Sequence, residues 1–212
     1  ILNENFDRVA RFRNPYGVDY GSAPDFPSLD AEIRIAMVGR LDLKQKGHDL
    51  ALRVLADPAW SERPVVLNVY GEGKYGTFLR RMSERLGVGN KVFFHGHVND
   101  VSSIWKRNHA LLMPSRYEGL PIAMVESMLS ARPVIASAVG GIPEWIRSGE
   151  NGFLIPAPTV ELVAATLEDA WTRRGDWEVF GRRARETALS LTNADPVEEY
   201  TAGLCELAES NQ

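Results

Sequence analysis

Short, apolar, β-branched segments alternate along this chain with amphipathic ones, and that alternation constrains the fold more than any other feature. Ile33-Arg34-Ile35-Ala36-Met37-Val38 reads as a strand, and so do Val65-Val66-Leu67-Asn68-Val69-Tyr70 and Val92-Phe93-Phe94. Ala110-Leu111-Leu112-Met113, Pro133-Val134-Ile135-Ala136-Ser137 and Gly152-Phe153-Leu154-Ile155 complete the set. Helical patterns fill the intervals over 47–56, 77–86, 101–108, 121–131 and 142–148, and two or three more helical segments follow Val160. The helix over 121–131 has proline at its first position, where the missing N–H does no harm. Near-continuous apolar strands alternating with helices imply a parallel sheet covered on both faces. The expected fold is α/β, a doubly wound parallel sheet of about six strands with helices on both faces. Ligands of such sheets bind at the carboxyl ends of the strands. The loops after Val38, Tyr70, Phe94, Met113 and Ser137 are therefore the ones to inspect.

A length of 212 residues suffices for one domain with a proper core plus a few extra elements. Hydrophobic residues at 44% and charged ones at 25% are the balance of a globular protein. A net charge of −4 with no basic block disfavours nucleic acid as a partner. Cys205, the only cysteine, allows no intramolecular disulfide, which fits a reducing compartment, and a small buried apolar role is expected for it. No apolar run approaches the ~18 residues of a membrane span, and no secretory leader is visible. The chain begins at Ile1 rather than Met, as a fragment or a processed protein would. Residues 1–29, with turn chemistry in Asn14-Pro15-Tyr16-Gly17-Val18-Asp19 and prolines at Pro24 and Pro27, read as a linker. Residues 30–172 read as the main domain and 173–212 as C-terminal helices.

Several loops carry candidate chemistry. Pro114 to Pro121 joins a strand to a helix, with Glu118 at the mouth and Glu126 further along that helix. Free N–H groups and the dipole at the helix start suit an anion, while an ionised carboxylate can accept two hydrogen bonds from a vicinal diol. The ordinary alternative is a capping Glu118 and a solvent-facing Glu126. Arg40, Lys44 and Lys46 lie just past the first strand and could hold a diphosphate, although solvated loop cations are common. Gly71-Glu72-Gly73 is either part of a phosphate loop or a tight strand-to-helix turn. Gly140-Gly141 offers close ligand approach or, again, a turn. His95-Gly96-His97 follows the third strand without an evident metal-ligand partner, so no metal site is expected there. His48 and His109 belong to no evident constellation.

The ordered set of motifs is more specific than any one of them. Glu118-Gly119-Leu120-Pro121-Ile122-Ala123-Met124-Val125-Glu126 resembles the Glu-x7-Glu motif of family 4 of the retaining glycosyltransferases. Val38-Gly39-Arg40-Leu41 with Lys46-Gly47 resembles the family's phosphate-binding segment, and Val69-Tyr70-Gly71-Glu72-Gly73 its Gly-x-Gly turn. Val139 to Glu144 resembles its glycine-rich stretch, and Pro15-Tyr16-Gly17-Val18-Asp19 the opening of its second domain.

The resemblance implies a Rossmann-like domain, the C-terminal, donor-binding half of a two-domain GT-B enzyme. Glu118 then contacts the donor sugar as the catalytic-centre carboxylate, Glu126 the ribose, and Arg40 and Lys46 the diphosphate. Backbone groups of Gly119, Leu120 and Pro121 approach phosphate and sugar, the loop at His97 and Val98 faces the base, and Gly71 of the Gly-x-Gly turn also binds the donor. No cofactor or metal is implied; the substrate is a nucleotide-diphosphate sugar, UDP- or GDP-linked. The implied acceptor is a glycan or lipid. The implied partner is an N-terminal acceptor-binding domain, through which the enzyme would reach the inner face of a membrane from the cytoplasm. Without that domain little transferase activity is expected. The alternatives are an epimerase or phosphorylase on the same scaffold, and a non-catalytic nucleotide- or glycan-binding module.

Overall fold

The structure, a computed structural model, describes residues 16–19, 21–30, 32–192 and 196–209. The Asn14-Pro15 turn lies outside them. Six strands form one fully parallel sheet: β1 (Ile33–Val38), β2 (Val65–Tyr70), β3 (Val92–Gly96), β4 (Ala110–Met113), β5 (Val134–Ser137) and β6 (Gly152–Ile155). Their order is β3-β2-β1-β4-β5-β6. The order reverses between β1 and β4, which opens a crevice at their carboxyl ends.

The pleat of each strand feeds two separate cores. Ile33, Ile35 and Met37 of β1 point into one, with Ala110 and Leu112 of β4 and Ile135 of β5. Ala36, Leu111, Met113, Val134 and Ala136 point into the other. Helices α1 (His48–Leu55), α3 (Gly76–Arg85) and α7 (Val160–Thr172) cover the first face. Helices α4 (Val101–Arg107), α5 (Ile122–Leu129) and α6 (Ile142–Trp145) cover the second. One short helix, α2 (Pro58–Ser61), was not legible in the sequence; Asp57 caps it by accepting from the N–H of Ala59 at 2.8 Å. Helix α8 (Trp177–Leu191) spans both layers, with Trp177 and Phe180 in the first core and Ala184 and Ala188 in the second. Met124, Val125, Met128 and Leu129 of α5 are fully buried. Each such side chain contributes roughly 1.5–3 kcal/mol by leaving water, so α5 is held by its packing rather than by a cap.

Four details differ from the sequence reading. Pro121 is the N-cap of α5 (ψ 124°) rather than its first helical residue. Strand β3 runs on to Gly96, because Tyr70 pairs with Gly96 and its ring stacks on His95 at 4.6 Å. Helix α6 stops at Trp145: the side chain of Asn151 accepts from the N–H of Arg147 and donates to the carbonyl of Trp145, which turns the chain away. Cys205 is exposed, not buried, on α9 (Pro196–Glu209), whose Tyr200 and Leu204 also face outward. Among the described residues no helix is long and apolar enough to cross a membrane.

The segment before β1 is fastened to the domain by two buried polar side chains. Arg132 is fully buried and donates to the carbonyls of Pro24 and Asp25, and also to Trp105, Asn108, Ser130 and Ala131. His109 accepts from the N–H of Arg34 on Nδ1 (2.9 Å), and its Nε2 lies 2.9 Å from the carbonyl of Ser28. That geometry fits the neutral tautomer with the proton on Nε2.

Candidate active site

Two cavities of about 410 Å³ each open at the carboxyl ends of the strands, and both are walled by Val38 and Gly39 at the end of β1. They form the two arms of one cleft at the point where the strand order reverses. The first arm includes Lys46, Glu118, Leu120, Pro121 and Glu126. The second includes Arg40, Gly71, His97 and Val98. Every donor-binding residue implied by the family resemblance thus lies in the cleft wall except Gly119, which is exposed on the loop between Glu118 and Leu120.

In the first arm Lys46 Nζ donates to Glu118 Oε1 at 2.7 Å. The Glu118 side chain is only 5% exposed and that of Lys46 17%, so this pair is partly withdrawn from solvent. Arg116 fixes the two loops against each other. It grips the Asp49 carboxylate with both Nη atoms (3.0 and 2.9 Å) and donates to the carbonyl of Leu43, while its own N–H donates to the carbonyl of Gln45. A two-toothed Arg–carboxylate pair has little angular freedom, so it locks the loop of Lys46 beside that of Glu118. No pattern in the sequence points to this clamp, because Asp49 and Arg116 are 67 residues apart.

Glu126 is buried, not solvent-facing. Its Oε1 accepts from the N–H of Gly17 at 2.9 Å. Burial pushes the Glu126 carboxyl above its ordinary range, and the Gly17 hydrogen bond partly opposes that. Helix α5 begins beside it without a side-chain cap. Ile122 and Ala123, in its first turn, line the arm, so main-chain N–H groups at the positive end of the helix dipole are available there.

Two glycines serve the packing of loop on loop. A Cβ on Gly140 (φ +56°) would lie 2.1 Å from the carbonyl oxygen of Glu118, and one on Gly71 (φ +125°) 2.1 Å from that of Gly39. Any side chain at either position would therefore push a cleft wall out of place. Gly71-Glu72-Gly73 accordingly works as a tight turn against the loop after β1.

In the second arm Arg40 is exposed at the rim and His97 bonds Asn99 through Nε2 at 3.0 Å. His95 instead bonds the side chain of Asn68. The two histidines have separate partners, and among the described residues no group of three His, Cys, Asp or Glu could hold a metal. Tyr70, Glu72, Val101 and Ile104 complete this wall; Tyr70, Val101 and Ile104 were missed in the sequence, where they read as structural apolar positions. Lys44 lies exposed outside both arms. His48 is buried with Nδ1 unpartnered.

The family model for glycosyl transferases group 1 matches residues 24–187. The chain belongs to this family. It is similar to an uncharacterized glycosyltransferase of Methanocaldococcus jannaschii, 27% identical over 210 residues, which cover 98% of this chain and 50% of the relative. It is also similar to a D-inositol 3-phosphate glycosyltransferase of Streptomyces griseus, 32% identical over 188 residues, covering 77% of this chain and 39% of the relative. The chain therefore spans half or less of the length of these curated relatives. Among solved structures, Staphylococcus aureus TarM in a complex containing UDP superposes with a TM-score of 0.80 at 23% identity, over 95% of this chain and 40% of that one. Anabaena HepE with UDP and glucose gives 0.76 at 21% identity, over 90% of this chain and 55% of that one. The C-terminal domain of a Francisella tularensis glycosyl transferase group 1 family protein gives 0.69 at 19% identity, over 82% of this chain and 97% of that one. This group 1 glycosyltransferase chain thus has the Rossmann-like fold of one GT-B domain.

Proposed function

We propose that this chain is the donor-binding half of a retaining glycosyltransferase that moves a hexose from a nucleotide-diphosphate sugar to a glycan or lipid acceptor. The observation that carries the reading is the two-armed cleft itself, which puts the Lys46–Glu118 pair in one arm and Arg40 in the other. An extended ligand laid across Val38 and Gly39 meets carboxylates at one end, cations at the middle and a mostly apolar wall at the other. UDP in the complexes of TarM and HepE is in keeping with a UDP-linked donor here, with GDP as the competing base.

In this reading Glu118 accepts hydrogen bonds from the donor sugar and Glu126 from the ribose diol. Lys46 and Arg40 neutralise the diphosphate, and the first turn of α5 with the backbone of Gly119, Leu120 and Pro121 faces the phosphates. Gly71, His97 and Val98 border the base. When the glycosidic bond breaks, negative charge gathers on the leaving diphosphate. Fixed cations and a helix N-terminus stabilise that charge without reorganising. Retention follows if the acceptor hydroxyl enters on the face the diphosphate leaves and loses its proton to it. The acceptor would be held by the N-terminal domain, so the chain alone transfers little or nothing.

The test is to assay transfer by the complete enzyme and read the anomeric configuration of the product by NMR. Retained configuration, with a loss of at least about a hundredfold in kcat for Glu118→Gln, agrees with the reading. Inverted product, or full activity of Glu118→Gln, contradicts it.

A further inference from the structure

Residues 16–19 sit against the cleft rather than beside the domain as a plain tether. Tyr16 and Val18 pack on the second core, and Gly17 lies between them with its N–H aimed at Glu126. A Cβ at Gly17 would stand 3.2 Å from Glu126 Oε1 and 3.3 Å from Val101 Cγ2, so this backbone is in close contact with the carboxylate and with the wall of the second arm. Among the described residues Gly17 gives the Glu126 side chain its one hydrogen bond, on Oε1, across 109 residues of sequence. Oε2 is left for a ligand.

We infer that the main chain of Gly17 is a positioning group for nucleotide recognition: its N–H holds Oε1 of Glu126 so that Oε2 faces the cleft for the ribose diol. This rests on the assignment of Glu126 to the ribose. The physical need is plain. A carboxylate withdrawn from water is costly unless something hydrogen-bonds it, and a carboxylate free to rotate would recognise a diol poorly. Burial already favours the protonated form, and the Gly17 N–H opposes that, keeping the group an acceptor. The segment that leads into the domain thereby reports its own position to the ribose site. Any movement of residues 16–19 relative to the sheet alters how well the nucleotide is read.

The test compares Kd for UDP and for 2′,3′-dideoxy-UDP, which lacks the diol, in the wild-type chain and in Gly17→Pro, Gly17→Ala and Glu126→Ala. Proline deletes the N–H, and Gly17 is not held at a positive φ that would exclude it. Alanine keeps the N–H but crowds Oε1. The wild type should prefer UDP by about tenfold or more, the worth of a hydrogen bond to a charged group. Gly17→Pro should lower that ratio to the value of Glu126→Ala while leaving the affinity for the dideoxy compound unchanged, and Gly17→Ala should fall between. A purely structural role would weaken both ligands equally and leave the ratio intact, which overturns the inference. An unaltered ratio in Glu126→Ala defeats the ribose assignment itself, a separate failure. A second readout needs no ligand. The Glu126 carboxyl, followed by NMR, should titrate at higher pH in Gly17→Pro than in the wild type, or in Gly17→Ala if the proline variant does not fold. An unmoved midpoint in a folded variant also overturns the inference.

Discussion

Lys46 Nζ and Glu118 Oε1 stand 2.7 Å apart across 72 residues of sequence, in the arm of the cleft where a donor's diphosphate and sugar would meet. Each group is bonded to the other. A diphosphate must compete for Lys46, and doing so frees Glu118 for the sugar.

That pairing predicts opposite effects on two ligands. Glu118→Gln should release Lys46 and tighten UDP by about fivefold, equivalent to about 1 kcal/mol, the ordinary worth of one such hydrogen bond. The same substitution should abolish any preference for the UDP-sugar over UDP. Parallel calorimetric titrations check it; equal weakening of both ligands would mean that Glu118 merely supports the loop.

The buried Glu126 sets a pH limit of unusual sign for a carboxylate. Burial raises its folded-state pKa above the ordinary value of 4.5. Any stability linked to this shift is present below pH 4.5 and is lost as pH rises through the raised folded-state pKa. At neutral pH Glu126→Gln should therefore unfold at a higher temperature than the wild type. Nucleotide binding should fall as pH descends through the raised pKa, and this limb should vanish in Glu126→Gln. Thermal melts and titrations from pH 4 to 8 measure both.

His48 works the other way. It is buried beside Gly47 with Nδ1 unpartnered, and burial depresses its pKa from 6.5 to about 4. Above pH 6.5 the ring is neutral in both folded and unfolded chains. Between pH 6.5 and 4 only the unfolded chain takes up the proton, so stability is lost over that window, by roughly 3 kcal/mol at most. Urea denaturation at pH 7 and pH 5 should show the loss in the wild type and a smaller one in His48→Leu.

Arg132 predicts a large effect from a residue outside the cleft. Its guanidinium is fully buried and donates to backbone carbonyls; among the described residues no carboxylate pairs with it. Burial lowers its pKa to about 10, so it stays charged at neutral pH. Arg132→Met would orphan those carbonyls and release residues 24–25, at a cost of roughly 1–3 kcal/mol for each carbonyl left without a donor. A urea midpoint unchanged in Arg132→Met would show that these hydrogen bonds add nothing net.

The sheet and most helix positions were legible because strands apolar on both faces, such as Ala110–Met113, have few other places to go. Glu118, Glu126, Arg40 and Lys46 were legible through motif order, and all four line the cleft. What stayed hidden depends on contacts between distant residues. The Arg116–Asp49 clamp and the Gly17–Glu126 bond join loops that sequence spacing cannot bring together. The burial of Glu126 was hidden for the same reason, since its helix reads as apolar with one charge on it. The extension of β3 to Gly96 turned on a ring stack between Tyr70 and His95.

The most direct measurement is calorimetric titration of the chain with UDP, GDP and ADP and their hexose conjugates, repeated on Lys46→Ala. Saturable binding of one nucleotide, weakened at least about tenfold by loss of the cation, is the result that a donor-binding cleft requires. Absence of binding to every nucleotide, or equal affinity in Lys46→Ala, would contradict it.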